Sequence, residues 1–241
     1  MITLILGSGP GAVEARTWHR APFDRIVAIN NAWRIREDWN DLVYPYDFPA
    51  DRMPATKRAD QGFIDETKFV PAQNAFGGFV YAGATMAYTA TYWALQARKP
   101  RVIGYLGCDM VYPKKGATHF YGTGTADPLR DDISLRSLEA KSARALCYAA
   151  RQDCARVNLS SGESRLVFDR ASPDKVGKSQ PPLIDWGAMK MAEVEEDRLG
   201  YRTPTGFYDH IDADLGALDA IDALWLEAAG QYAVLPKASA A

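Results

Sequence analysis

The chain has 241 residues, 47% of them hydrophobic and 24% charged, with a formal net charge of -2 and a pI near 6.0. That suffices for a full core in one domain, with or without an appended lobe, and leaves no global field for nucleic acid. The opening apolar run meets Gly7 too early for a membrane span or a signal peptide, and no Lys/Arg run exceeds Lys114-Lys115, which predicts a cytoplasmic protein.

In chain order, Ile2 to Leu6 reads as a buried strand that turns through Gly7-Ser8-Gly9-Pro10-Gly11 into a helix-prone Ala12 to Ala15. Ile26 to Ile29 forms a second strand ending at Asn30-Asn31, so the two make a βαβ unit and imply a parallel sheet. A third strand is expected at Leu42 to Tyr46, stopped by Pro45 and Pro49. Ala50 to Ala75 is polar and irregular and reads as a surface excursion, a lid or an insertion. The spacing predicts a helix over Ala84 to Arg98, with Ala87, Ala90, Trp93 and Ala94 on one face and Pro100 marking its end. Arg101 to Leu106 follows as a central strand closing at Gly107-Cys108-Asp109. Leu135 to Arg151 makes another amphipathic helix, and Arg156 to Leu159 another strand.

Strand and helix alternate through two-thirds of the chain, the signature of an open α/β sheet. From Ser172 onward a proline-rich stretch leads into two helical segments, "WGAMKMAEVEEDRLG" and "ALDAIDALWLEAAGQY". The expected organisation is a nucleotide-binding α/β part, residues 1–170, and a C-terminal helical extension of the same domain, 171–241, packed on the sheet or on a second subunit in a homo-oligomer. No repeat or low-complexity run stands out beyond the small-residue tail Ala238 to Ala241. Cys108, Cys147 and Cys154 form no Cys-x-x-Cys pair and sit in core or helix positions, which predicts structural thiols.

The glycine-rich turn has neither the lysine nor the hydroxyl that a P-loop places on phosphates and magnesium. At the end of the second strand, where a dinucleotide fold carries an acidic residue for the ribose, the chain has Asn30. An asparagine offers both a donor and an acceptor, and suits a ribose or a pyrimidine edge.

"LILGSGPG", "VAINNAW", "GATMAYTATYWALQARKPRVIGYLGCDMVYPKKGATHFYG" and "RVNLSSGESRL" together resemble the sialyltransferase-like Rossmann group. That group includes bacterial sialyltransferases and archaeal 6-hydroxymethylpterin pyrophosphokinase-like proteins. The resemblance runs from the first strand to Leu166, stops short of the C-terminal helices, and implies a Rossmann-like open parallel sheet that binds a nucleotide. It carries Gly7, Ser8 and Gly9 onto the first phosphate or ribose turn, and Asn30 onto the second-strand asparagine that contacts the nucleotide. Gly83, Ala84 and Thr85 match a small-residue turn at a helix start, and Gly107, Cys108 and Asp109 match a "G-x-D" strand end. Tyr112 and Tyr121 fall where phosphate-binding tyrosines are expected and His119 where a base is expected.

Each of these residues also has a plainer reading. His119 sits in a glycine-rich loop, where it is either the base or a solvated turn residue, and Asp109 either binds substrate or metal or caps a turn. Asp47 is placed to meet Asp109 across the sheet edge, while Asp209, Asp212 and Asp214 precede a helix and read as caps more than as a cation site. Trp93, Trp186 and Trp225 read as core, and Trp33 as core or as a base-stacking ring. The leading expectation is a glycosyltransferase that passes sugar from a nucleotide, such as a cytidine monophosphate sugar, to a glycan or lipid hydroxyl, with no required cofactor. The alternatives are a magnesium-dependent pyrophosphokinase and a non-catalytic nucleotide or glycan binder.

Overall fold

The computed structural model describes residues 1–112, 116–123 and 131–231, so Lys114-Lys115 and the tail Ala238 to Ala241 lie outside the described residues. Six parallel strands form one sheet: β1 (Ile2–Leu6), β2 (Arg25–Ile29), β3 (Asp41–Val43), β4 (Gly62–Ile64), β5 (Val102–Leu106) and β6 (Ala155–Asn158). Their spatial order is β4-β3-β2-β1-β5-β6. The chain steps outward from β1 to β4 and then returns to the other side of β1 to lay β5 and β6. This is an open, Rossmann-like α/β sheet, and its topological switch point, where ligands bind in such folds, lies between β1 and β5.

Side chains alternate across the strands and build two cores. Ile5, Val27, Val43, Ile103 and Tyr105 face the helical layer, while Leu4, Leu6, Ile26, Ala28, Leu42 and Leu106 face the opposite side. The helices described are α1 (Glu66–Asn74), α2 (Phe79–Ala82), α3 (Met86–Ala97), α4 (Leu138–Arg151), α5 (Trp186–Leu199) and α6 (Leu215–Ala228). α3 is buried all round from Ala87 to Leu95. The second face is covered by short 3-10 turns at Pro10–Arg16, Asn30–Arg34 and Val176–Lys178, whose Ala12, Ala15, Ala32 and Val176 close that core.

Four expectations change. The helix after the first turn is 3-10, since Pro10 opens it and it runs only to Arg16. The third strand ends at Val43 instead of reaching Tyr46, because Pro45 cannot donate to a ladder. The excursion over Ala50 to Ala75 contains the edge strand β4 and the helix α1, the latter capped by Asp65 through Thr67 N–H. Trp186, expected in the core, is the first residue of α5 and is 52% exposed.

The C-terminal helices share the main core: Met189, Ala192, Leu218, Ile221 and Trp225 belong to the cluster that contains Ile5 and Tyr105. They are tied to α4 by two buried ion pairs. Arg144 pairs with Glu196 at 2.7 Å and also reaches the Tyr92 hydroxyl and the Phe76 carbonyl, while Trp225 Nε1 donates to Glu196 at 2.7 Å. Lys141 pairs with Asp222 at 2.7 Å. Asp214 caps α6 through Ala217 N–H, as its position before a helix predicts. No helix among the described residues is long and apolar enough to cross a membrane.

Candidate functional site

The loops at the carboxyl edge of the sheet enclose a cleft of about 810 Å³ at the β1–β5 switch point. The turn after β1 forms its floor. Gly7 N–H donates to Leu106 O at 2.8 Å and Gly9 N–H to Gly107 O at 2.9 Å, so this turn is laced onto the end of β5. A Cβ on Gly7 would lie 2.3 Å from Gly107 O, and one on Gly9 would lie 2.9 Å from the same atom. Gly9 has φ -59, an ordinary value, so glycine is required here for closeness of backbones and not for a left-handed conformation. With those two amides spent, the N–H groups of Ser8 and Gly11 are the ones in this turn left without an acceptor among the described residues.

Asn30 follows β2 with φ 50, left-handed for a residue that bears a Cβ. Both Asn30 Oδ1 and Asn31 Oδ1 are buried acceptors with no hydrogen-bond partner among the described residues, and both residues line the cleft. Asn31 is only 3% exposed. A buried amide oxygen without a donor costs about 1–3 kcal/mol. Sequence reasoning misses Asn31 because nothing in the sequence separates it from its neighbour. The backbone strain at Asn30 and the orphaned oxygens distinguish the pair.

At the opposite wall, Met110 has φ 54 and follows Asp109, whose carboxylate accepts from Ser160 Oγ at 2.7 Å and Asn158 Nδ2 at 3.4 Å. Asp109 lines the cleft with its two carboxylate oxygens held by Asn158 at the end of β6 and by Ser160 just beyond it. Asp47 lines the same cleft, with Glu14 and Glu163, so four carboxylates stand against Arg52, the one Lys or Arg among its described lining residues. Among the described residues no three His, Cys, Asp or Glu side chains stand together as a group able to hold a metal ion.

The loop that carries His119 is pinned to the floor by Phe120 N–H donating to Ser8 O at 3.0 Å. The imidazole stacks on Tyr121 at 5.0 Å between ring centroids and leans on Tyr112 at 6.2 Å. Its Nδ1 lies 2.8 Å from Thr118 Oγ1, which leaves Nε2 without a partner among the described residues. Burial lowers its pKa below the ordinary histidine value, since a desolvated imidazole resists a charge, and burial pushes the Tyr112 phenol up to about 12. Tyr112, Tyr121 and His119 thus line the cleft together.

Thr85 caps α3 by accepting from Tyr88 N–H, and Ala84 and Thr85 line the cleft beside Met86 and Ala87 at the helix start. The Ala84 N–H is already held by Ser134 Oγ at 3.2 Å, so the amides α3 offers are those of Met86 and Ala87. Gly83 stands apart from the cleft lining. Its φ is 85, and a Cβ there would lie 2.9 Å from the Tyr88 side chain and 3.1 Å from that of Lys141, which makes it a packing glycine; its carbonyl accepts from Gln73. Cys108 is buried behind the cleft with its thiol pushed far up by desolvation, while burial moves Cys147 and Cys154 up to about 12, as structural thiols require. Trp33 is half-buried against the second core and donates to Arg52 O at 3.0 Å. Comparison of the chain with protein-family models, with characterised proteins and with solved structures finds no match.

Proposed function

We propose that the cleft binds a nucleotide-activated sugar and transfers the sugar to an acceptor hydroxyl, with His119 as the base. The observation that carries this reading is one cleft lined by Asn30 and Asn31 and by an imidazole that is flanked by two rings, has its pKa lowered by burial and leaves Nε2 without a partner among the described residues. Asn30 and Asn31 bring carboxamides to the cleft lining that can donate to or accept from the base or hydroxyls of the nucleoside. The free amides of Ser8, Gly11, Met86 and Ala87, with Tyr112 and Arg52, receive the departing phosphate. His119 Nε2 takes the acceptor proton as the acceptor oxygen attacks the anomeric carbon and the bond from that carbon to the phosphate oxygen breaks.

In this reading His119→Ala lowers turnover of a cytidine monophosphate sugar by about 10²- to 10⁴-fold, with nucleotide affinity unchanged. A variant that keeps full turnover, or loses affinity in step with rate, removes the base from His119. The rival reading is a phosphotransfer enzyme that binds ATP with magnesium, for which Asp109 is the first candidate ligand although no three acidic groups stand together among the described residues. Tight binding of ATP only in the presence of magnesium, with no response to cytidine monophosphate, selects that rival.

A further inference from the structure

Among the described residues the large aromatic side chains that stand exposed are Tyr46 at 68%, Phe207 at 56%, Trp186 at 52% and Tyr121 at 41%. One of these four lines the cleft, and two others pack on each other beside it. Tyr121 lines it, and Tyr46 lies between the lining residues Pro45 and Asp47. Phe207 comes from the C-terminal part of the chain and meets Tyr46 edge to face, with ring centroids 5.9 Å apart. Exposing rings where they cost solvation, on two segments far apart in sequence that meet beside the cleft, calls for an apolar ligand surface.

The segment bearing Phe207 is anchored on three sides. Tyr208 OH donates to Asp132 at 2.8 Å, Tyr201 N–H donates to Tyr81 OH at 3.0 Å, and Asn74 Nδ2 donates to Thr203 O at 3.0 Å. The Tyr208 hydroxyl also lies 3.1 Å from Ser134 Oγ, the same hydroxyl that holds Ala84 at the start of α3. The ring pair is therefore fixed to the cleft wall, and a rigid aromatic surface loses little entropy on binding.

We infer that Tyr46 and Phe207 form a platform beside the cleft that stacks a pyranose ring of a glycan acceptor. A pyranose presents a face of C–H groups, whose positive edge suits the negative face of an aromatic ring, surrounded by hydroxyl donors. The exposed carboxylates Asp47 and Asp209, next to Tyr46 and two residues beyond Phe207, accept from such hydroxyls. The same carboxylates repel an anionic lipid surface, which selects the carbohydrate over the membrane as the occupant. The acceptor role of the platform rests on the transferase reading; its sugar binding is measurable without any donor.

The test is saturation-transfer NMR of the full chain with N-acetyllactosamine and with chitotriose, on wild type, Tyr46→Ala and Phe207→Ala. A parallel calorimetric titration uses cytidine monophosphate. The platform predicts saturation of the sugar ring protons in wild type and binding about 2- to 12-fold weaker on losing either ring, with nucleotide affinity unchanged. Sugar binding that ignores both substitutions, or absence of binding by either sugar, overturns it. So does ring-dependent binding to phosphatidylcholine vesicles in place of sugars, or a wild-type dimer that both substitutions dissociate. Ring-dependent sugar binding without any nucleotide binding keeps the platform and sinks the transferase reading, so the two failures are told apart.

Discussion

Asn31 and His119 each carry a cost of burial in this cleft. The Asn31 carboxamide is 3% exposed and its oxygen has no donor among the described residues, so it burdens the folded state. Asn31→Leu keeps the branched outline of the side chain, though it is larger, and deletes the orphaned acceptor. The gain of about 1–3 kcal/mol from removing that acceptor is opposed by an overpacking cost of about the same size, so stability in urea unfolding is expected to stay within about 1 kcal/mol of wild type, while ligand binding weakens. A variant that loses stability and keeps its affinity shows that Asn31 serves packing alone. For His119, burial lowers the pKa because the imidazolium is the disfavoured form. The neutral base then persists to lower pH than in a free histidine, so the acid limb of the rate profile should have its midpoint below about 6.5 and vanish in His119→Ala. An acid limb centred above that value contradicts the assignment of the limb to this histidine.

At the level of elements, the turn after β1 is joined to the end of β5 by two backbone hydrogen bonds. Gly9→Val forces side-chain carbons against Gly107 O, which a Cβ alone would approach to 2.9 Å, and should cost about 1–3 kcal/mol on thermal or urea unfolding. Gly11→Ala, whose nearest contact would be Glu14 at 3.7 Å, should change stability by less than about 0.5 kcal/mol. Equal stability losses in the two variants contradict the close-approach account. The strand-turn-helix pattern at Gly7 to Gly11 and the strand end at Asn30 are readable in the sequence because apolar runs stop abruptly at glycine or asparagine. β4 and α1 are not, since β4 has only three residues and α1 carries Pro71 amid polar side chains, so neither shows a sustained period. Trp186 misleads for a related reason: it falls on the apolar pattern of α5, yet it begins the helix and stands half in solvent, where no element covers it. Gly83 resembles a ligand turn by composition, but it packs against Lys141, which is remote in sequence, as well as against the nearby Tyr88, and local spacing does not encode the remote contact.

Across the whole molecule, the C-terminal helices belong to the same core as the sheet, and the segment that leads from α5 to α6 packs Phe207 on Tyr46, the neighbour of the cleft residues Pro45 and Asp47. The Arg144–Glu196 pair, with side chains 0% and 5% exposed, locks α4 to α5, and Trp225 of α6 completes it. Glu196→Ala leaves the guanidinium buried without its charge partner and should cost about 3–5 kcal/mol in urea unfolding. A loss near zero means that the helices are carried by apolar packing alone. The account's central claim is that the cleft at the β1–β5 switch point binds a nucleotide through Asn30 and Asn31. The measurement that tests it most directly is calorimetric titration of cytidine monophosphate, in EDTA, into wild type and Asn31→Leu. The account predicts saturable one-site binding to wild type that is lost or much weakened in the variant. No binding to wild type in EDTA, or equal affinity for both proteins, contradicts it.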